Sequence, residues 1–352
     1  MSSPKVLVLG SGVIGLRTAL SLSRNSIPVS VRSSVSPLAT SCALNASVGA
    51  GGLWMPFHCD DDRTDRWAKS QLEDYLKMHS AGDYAVELVP TLSFINESSQ
   101  DLPSWAASPQ LQFQSFSPTE LAQQASVNGV HVPPFAEKYG KIWQWLTPIV
   151  DCPRLLKSMM VEIEAAGGSV DNESEFSSSD DVLAVAKADG CTVVVNCLGG
   201  AGATLIGEPP VTLARGVLKY YSRREDFKTC ILVDHPPMGS DTHPIYAIPR
   251  GNVVAVGGTY LEGDHEQSMR PEEEEMLRAT AKLLLPDEGE GFEEVGEWVG
   301  FRPVREGGVK LGLNEEMSGK GLSWIDNFGH GGSGWTVASG CADDVLDIAQ
   351  DL

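Results

Sequence analysis

The first fifteen residues constrain the fold of this chain more than any other stretch. An apolar run, Val6–Leu9, precedes glycines at positions 10, 12 and 15, and an apolar segment that we predict to be helical follows to about Ser23. A strand, a G-x-G-x-x-G turn and a helix in this order form the phosphate-binding corner of a dinucleotide fold. The first glycine permits the turn, the second lets backbone approach a pyrophosphate, and the third allows close helix packing. The pattern predicts a dinucleotide site; an ordinary glycine-rich turn is the alternative.

Length and charge narrow the class of protein. The 352 residues can form two lobes, and 26 basic against 47 acidic side chains give a net charge of −21. This charge repels nucleic acid and anionic lipid, so we predict neither as a partner and leave a homo-oligomer open. No apolar run reaches the ~18 residues of a membrane span, and the N-terminus has no signal-peptide pattern. We expect an intracellular, cytoplasmic protein whose last residues, 349–352, do not form a peroxisomal signal.

The cysteines and one polar cluster bear on metal binding. Seven cysteines are scattered without a C-x-x-C pair, which predicts free and mostly buried thiols and no metal site. The segment His58–Asp62 resembles a set of metal ligands, but we favour an acidic cap for a helix over 64–78. A second helix is predicted over 154–166, capped by residues 151–154.

Two segments after the first helix are candidate ligand contacts. The second strand, Val29–Arg32, should end in an acid that binds the adenosine ribose, but Arg32, Ser33 and Ser34 stand there. Arg32 either contacts ribose or phosphate, or lies solvated at the strand end. Residues 38–58 place three glycines ahead of Trp54, which predicts backbone close to a ligand, with a glycine-rich surface loop as the alternative.

The rest of the chain alternates between two kinds of structure. Pro-broken segments with several aromatic residues up to about 150 indicate a mixed second lobe. The run Thr192–Gly200 is typical of a strand that returns to the nucleotide-binding sheet. Residues 211–262 alternate as antiparallel strands around a loop, Asp234–Pro244, that is a candidate lid. Two glycine-rich segments, 300–305 and 327–336, precede a last helix.

Several motifs together resemble one known family. They are Gly10–Leu16, Gly52–Trp54, Tyr246–Pro249, Gly257–Thr259, Gly300–Arg305 and Gly329–Thr336, and in this order they are similar to the D-amino-acid oxidase family of FAD flavoproteins. The resemblance implies an α/β fold with a Rossmann-like FAD-binding domain and a substrate domain built on an antiparallel sheet. We expect the FAD domain to comprise 1–56, 150–205 and 300–352, and the substrate domain 57–149 and 206–299.

The resemblance also implies site residues. Arg302 would bind the substrate carboxylate together with the hydroxyl of Tyr246, and the Gly332 carbonyl would accept a hydrogen bond from the amine. An arginine paired with a structural acid and a buried core tyrosine are the alternatives. His330 is not required as a base. The expected FAD contacts are Gly10, Ser11, Gly12, Val13, Ile14, Gly15, Arg32, Ser33, Ser34, Thr40, Ser41, Gly52, Leu53, Gly331, Gly332, Gly334, Trp335 and Thr336.

The activity implied is oxidative deamination of a D-amino acid to a 2-oxo acid, ammonia and hydrogen peroxide by hydride transfer to FAD. A D-aspartate oxidase would need a second cation, for which Arg250 and His243 are the candidates. An NAD-dependent dehydrogenase would share the first motif, and a flavin-binding redox module is a third alternative. Two departures from the family concern the lid, which holds no tyrosine, and Ser33 and Ser34, where many members carry Asp-Arg.

Overall fold

The structure is a computed structural model that describes residues 4–40, 42–56, 61–96, 102–128, 131–319 and 321–352. Two β-sheets organise these residues. The strands are β1 (Val6–Leu9), β2 (Val29–Arg32), β3 (Val86–Ile95), β4 (Gln114–Phe116), β5 (Lys141–Val150), β6 (Ser169–Asp171), β7 (Val193–Asn196), β8 (Thr212–Ser222), β9 (Cys230–Val233), β10 (Ile245–Arg250), β11 (Val253–Gly257), β12 (Leu261–Glu262), β13 (Glu294–Val304), β14 (Lys310–Leu313) and β15 (Ser323–Phe328).

Helices connect and cover these strands. They are α1 (Val13–Arg24), α2 (Ala46–Gly49), α3 (Thr64–Ser80), α4 (Pro118–Asn128), α5 (Cys152–Ala165), α6 (Ser179–Ala188), α7 (Gly202–Leu205), α8 (Pro271–Leu284) and α9 (Gly334–Gln350). The predicted helices over 64–78 and 154–166 are confirmed with small shifts of their ends. Asp151 accepts the Arg154 amide at the start of α5, as a helix cap does.

The first sheet has the order β14-β15-β7-β1-β2-β6. Its pairs are parallel except for β14 against β15. The central strands β1 and β7 are buried along their whole length, as expected for a parallel sheet covered by helices on both faces. The predicted strand–turn–helix at the N-terminus and the predicted return of the chain at β7 are both confirmed.

The second sheet has the order β12-β8-β11-β10-β9-β3-β5-β4, and β13 pairs along β8. The antiparallel strands predicted over 211–262 are confirmed, but β3 pairs with β9 in parallel. The mixed second lobe predicted before residue 150 contains the long strands β3 and β5 of this sheet. Pro90 lies outside the residues of β3 that pair with β9, and Pro148 lies outside the residues of β5 that pair with β4. The glycine-rich segment 300–305 belongs largely to β13.

The register of the second sheet puts the candidate site on one face. Leu232, Tyr246, Gly257, Leu218 and Trp298 lie directly opposite one another on neighbouring strands, so their side chains share a face. Side chains alternate along a strand, so residues 300 and 302 of β13 lie on the same face as Trp298. The opposite face packs against α8.

A buried apolar cluster joins the site-bearing face to the first sheet. It includes Val8 and Trp335 from the first sheet and its last helix, and Leu218 and Trp298 from the second sheet. The division into an FAD domain and a substrate domain at the boundaries given above stays a prediction.

Two simpler expectations concern cysteines and membrane spans. The six described cysteines are free, and all except Cys42 are buried. Among the described helices, none combines the length and the apolar character that crossing a bilayer requires.

Candidate active site

The turn between β1 and α1 has the geometry that its glycines predict. Gly10 has φ +94°, and a Cβ there would lie 2.6 Å from the carbonyl oxygen of Cys197. A Cβ on Gly15 would overlap the carbonyl of Gly10, while a Cβ on Gly12 would meet, among the described residues, only the Ser47 hydroxyl oxygen within 4 Å. Backbone is therefore tightly packed at two of the glycines and approachable at the second one. No acidic side chain lies in the first turn of α1, so the helix N-terminus suits an anion such as a pyrophosphate.

The polar residues after β2 are partly used by the protein itself. Arg32 pairs with Asp171 at 2.5 Å and with Asp189 at 2.9 Å. The Ser33 hydroxyl donates to the carbonyl of Val35 at 3.0 Å. These contacts favour a structural role for Arg32 at the strand end, and its contact with the cofactor remains a prediction together with those of Ser33 and Ser34.

The loop before α3 crosses from one sheet to the other. The Gly52 carbonyl accepts the Val150 amide at 2.8 Å, and Leu53 forms a β-bridge with Ile149 of β5. The buried Trp54 donates its indole N–H to the carbonyl of Ala68. Gly52 and Leu53 thus lie against the end of β5 in the second sheet. Thr40 is in the same loop, whereas Ser41 lies outside the described residues.

The segment 331–336 brings the end of the chain to its beginning. A Cβ on Gly334 would lie 3.3 Å from Cγ1 of Val13, and one on Gly332 would lie 3.5 Å from Cδ of Arg302. The Thr336 hydroxyl donates to the carbonyl of Met55 at 3.1 Å. The N-terminal turn, the loop before α3, the C-terminal motif and the predicted carboxylate-binding arginine therefore meet in one place.

Arg302 is held by backbone and an aromatic ring. Its Nη1 donates to the carbonyl of Thr259 at 3.1 Å, and the guanidinium lies 5.3 Å from the ring centroid of Tyr260. A Cβ on Gly216 would lie 2.5 Å from Nη1, so the guanidinium rests directly on the β8 backbone. Within the described part of the chain, Arg302 forms no ion pair with an Asp or Glu. Its charge is therefore available to an anionic ligand.

Tyr246 lies on the same face beside Arg302. A Cβ on Gly258 would lie 2.7 Å from the Tyr246 hydroxyl oxygen, and one on Gly257 would overlap the ring. Burial raises the pKa of Tyr246, and the neighbouring Arg302 guanidinium partly opposes that rise. The hydroxyl is thus protonated at neutral pH and can donate a hydrogen bond.

Sequence reasoning missed the residues that support these two side chains. Gly216 gives Arg302 its space, Gly257 does the same for Tyr246, and the ring of Tyr260 covers the guanidinium. Gly257–Thr259 is one of the motifs that resemble the family, but the resemblance implies no supporting role for Gly257. Gly216 carries no local signal, because its partner is 86 positions away in the sequence.

His330 and the proposed D-aspartate cations have other surroundings. His330 is 4% exposed and burial lowers its pKa to about 3, so the imidazole is neutral and adds no charge beside Arg302. Arg250 donates to the carbonyls of Val48 and Ala50. His243 contacts two hydroxyls and lines a cavity of about 410 Å³ towards α8, on the far side of the second sheet.

The loop Asp234–Pro244 touches the site through two backbone hydrogen bonds. The Gly258 amide, beside the Tyr246 hydroxyl, donates to the Pro244 carbonyl at 2.6 Å. The Tyr260 amide donates to the Thr242 carbonyl at 3.0 Å, which connects the loop to the ring above Arg302. The behaviour of this loop as a lid stays a prediction. Among the described residues, no three His, Cys, Asp or Glu side chains converge as metal ligands; His58, Cys59 and Asp60 lie outside those residues.

The donors and the spaces around them fit FAD. The approachable backbone at Gly12 and the N-terminus of α1, whose N-cap Gly12 supplies no capping side chain, suit the pyrophosphate. Gly332 lies beside Arg302, and Gly52 and Leu53 lie against the end of β5. These residues would hold the cofactor next to Arg302 and Tyr246. The individual contacts remain predictions.

Comparison with known proteins agrees with this geometry. The family model described as DAO, FAD dependent oxidoreductase, matches residues 5–348. A D-amino-acid oxidase of Streptomyces coelicolor is 29% identical over 350 residues, covering 98% of this chain and 97% of that protein. D-aspartate oxidase 1 of Caenorhabditis elegans is 25% identical, covering 99% and 97%.

A solved structure is similar over the whole chain as well. Glycine oxidase from Bacillus cereus superposes with a TM-score of 0.76 at 16% identity and covers 99% of this chain and 98% of that one. At this identity the likeness concerns the fold alone. The family model rules out the interpretation as an NAD-dependent dehydrogenase and supports FAD as the cofactor. The chain belongs to the DAO family of FAD dependent oxidoreductases.

Proposed function

We propose that this protein oxidises D-amino acids with neutral side chains to 2-oxo acids, with release of ammonia and hydrogen peroxide. The observation that carries the proposal is the state of Arg302. Its guanidinium lies on the β8 backbone under Tyr260, next to the Tyr246 hydroxyl, and has no acidic partner among the described residues. A planar, permanently charged donor in this position suits a carboxylate, to which it can donate two parallel hydrogen bonds.

The same groups would orient the rest of the substrate. With the carboxylate on Arg302, the Tyr246 hydroxyl donates a further hydrogen bond to it, and the Gly332 carbonyl accepts one from the amine. With the carboxylate and the amine fixed and the α-hydrogen directed at the cofactor, the two enantiomers would place their side chains in different directions, and this supplies selectivity for one of them. When bound, FAD supplies the acceptor for the α-hydrogen as a hydride and passes the electrons to oxygen.

Acid–base catalysis makes few demands on the protein in this scheme. The amine must be neutral when the α-hydrogen leaves, and its proton can go to solvent before the substrate is aligned. His330 is neutral, and its Nε2 has no hydrogen-bond partner among the described residues, but nothing in its position requires it to take a proton. The protein therefore acts mainly by alignment, which is a large source of rate enhancement.

The surroundings of Tyr246 favour apolar or small side chains. Leu53, Leu232 and Ile248 belong to one apolar cluster together with Tyr246. A D-aspartate oxidase would need a second cation there. Arg250 is engaged by backbone carbonyls and His243 lines a cavity towards α8, so neither supports that alternative, even though one relative carries the name D-aspartate oxidase 1.

Reduction of bound flavin under anaerobic conditions tests the proposal. The purified protein should be yellow, and its flavin absorbance should bleach with D-alanine and not with L-alanine. Turnover should be at least tenfold higher with D-alanine than with D-aspartate or glycine. Bleaching by L-alanine alone, or a preference for D-aspartate, would contradict the proposed substrate class.

Replacing the arginine tests the residue assignment. Arg302→Lys keeps the charge but loses the paired donors, so KM for D-alanine should rise about 10- to 100-fold, since hydrogen bonds to charged groups contribute about 1.5–3 kcal/mol. Arg278→Lys is a matched control, because Arg278 lies in an exposed ion-pair network with Glu274 and Glu294. Equal KM values for all three proteins would refute the role of Arg302.

A further inference from the structure

Arg250, the last residue of β10, reaches out of the second sheet to the segment 47–50. Its Nη1 donates to the carbonyl of Val48 at 3.3 Å and also to that of Ala50. The guanidinium lies 5.0 Å from the ring centroid of Tyr220. The residue is 7% exposed, and within the described residues it forms no ion pair. A buried charge without an acid is costly unless other polar groups compensate it, and here backbone carbonyls do so.

The neighbouring carbonyls of the same segment are also bound by side chains. The Tyr220 hydroxyl donates to the carbonyl of Gly49 at 2.8 Å. From α9, the Trp335 indole N–H donates to the carbonyl of Ser47 at 3.0 Å. Four consecutive carbonyls, those of residues 47–50, are thus bound by three side chains. Arg250 and Tyr220 come from the second sheet, and Trp335 comes from the last helix. Hydrogen bonds of this number over four residues fix the segment in space.

The segment is connected in turn to the expected cofactor site. The Ser47 hydroxyl accepts the amide of Val13, the first residue of α1, at 3.0 Å. Two residues beyond the segment, Gly52 and Leu53 pair with the end of β5. The indole of Trp298 fills the space that a Cβ on Gly49 would occupy. A shift of residues 47–50 would therefore displace both the glycine turn at α1 and the loop that we expect beside the flavin.

We propose that Arg250, assisted by Tyr220, is a positioning residue for FAD. It acts through the segment 47–50 and does not touch substrate. The inference rests on the proposed function only in taking FAD as the cofactor. It also assigns to the second sheet a part in retaining the cofactor, and it gives Arg250 a task that excludes binding of a substrate side-chain carboxylate.

Arg250→Met tests the inference, because methionine keeps much of the apolar length and removes every donor. The dissociation constant of FAD from apoprotein, measured by quenching of flavin fluorescence, should rise at least tenfold. KM for D-alanine at saturating FAD should stay within twofold of wild type. Tyr220→Phe removes only the hydroxyl bond to Gly49 and should raise the FAD dissociation constant about threefold; it remains informative if Arg250→Met does not fold.

Arg224→Met is the matched control. Arg224 also stacks on an aromatic ring, Phe292 at 5.1 Å, and also donates to a backbone carbonyl, that of Glu290. It lies on the α8 side of the sheet and should leave FAD binding unchanged.

The outcomes separate the possible explanations. The inference holds if FAD raises the melting temperature of Arg250→Met clearly less than that of wild type at equal FAD concentration. It is overturned if Arg250→Met and Tyr220→Phe bind FAD as wild type does, or if Arg224→Met weakens FAD binding as much as Arg250→Met does. A change in the ratio of D-aspartate to D-alanine turnover in Arg250→Met would instead show contact with substrate. Wild type that fails to bind FAD would refute the proposed function and this inference together.

Discussion

Gly216→Ala should remove activity while leaving the protein folded. A Cβ at this position would lie 2.5 Å from Nη1, 2.7 Å from Nη2 and 2.8 Å from Cζ of Arg302. All three atoms belong to the flexible end of one side chain, so the guanidinium can retreat by about 1 Å without disturbing the backbone. A misplacement of about 1 Å can cost about 100-fold in rate, which corresponds to about 2.7 kcal/mol of transition-state stabilisation.

Gly216→Ala should lower activity but should not lower the stability of the folded protein. Gly216 is absent from the glycines with positive φ, so alanine fits the backbone there, and replacing a strand glycine by alanine contributes roughly 0.5–1 kcal/mol. We therefore expect kcat/KM for D-alanine to fall about 100-fold, with an unchanged or raised melting temperature and unchanged FAD content.

Oxygen consumption, thermal unfolding and flavin absorbance measure the three quantities on one preparation. Gly296→Ala on the neighbouring strand β13 is the control, because its Cβ would meet Tyr220 at an ordinary 3.6 Å. Full activity of Gly216→Ala would refute the placement of the guanidinium on the β8 backbone. A fall in activity accompanied by equal loss of stability would show disruption of the sheet instead.

Three further predictions concern single side chains. Tyr246→Phe removes one hydrogen bond to a charged carboxylate, so KM for D-alanine and the dissociation constant of benzoate, read from the flavin spectrum, should both rise about tenfold; unchanged benzoate binding would contradict the contact. Tyr260→Leu should weaken benzoate binding about three- to tenfold through loss of the ring above Arg302, whereas Tyr260→Phe should stay within twofold. Equal effects of these two variants would show that the ring itself is unimportant. Because burial lowers the pKa of His330 to about 3, the unfolded chain binds a proton below pH 6.5 that the folded protein excludes. This residue should therefore remove up to ~1.4 kcal/mol of stability per pH unit as pH falls from 6.5 towards 3. Urea unfolding of His330→Asn should show a shallower acid dependence than wild type, and identical slopes would refute the burial argument.

The parts of the fold that follow from local pattern could be predicted. The turn at Gly10–Gly15 and the central strands β1 and β7 have continuous apolar runs and glycine spacings that have few other interpretations. Strands β3 and β5 could not be predicted, because Pro90 and Pro148 are unfavourable inside most strands. They are tolerated here because β9 pairs only with residues of β3 beyond Pro90 and β4 pairs only with residues of β5 before Pro148, and this depends on tertiary structure.

The candidate site shows the same limit. Arg302 and Tyr246 were identified through a resemblance, but the groups that hold them were not. Gly216 matters because another strand places an arginine on it, and Arg250 matters because the carbonyls of Val48 and Ala50 come within its reach. Neither circumstance leaves a trace in the residues on either side. A sequence reader can therefore name the side chains that face a ligand more easily than those that support them.

The contact between Val13 and Gly334 has a consequence for biosynthesis. During translation the first β-strand and helix leave the ribosome about 320 residues before the segment that packs on them. Until residues 334–350 have been synthesised, the glycine turn lacks the helix α9 that packs against Val13. If FAD binds at this turn as we propose, its binding site is completed only after residues 334–350 have been synthesised.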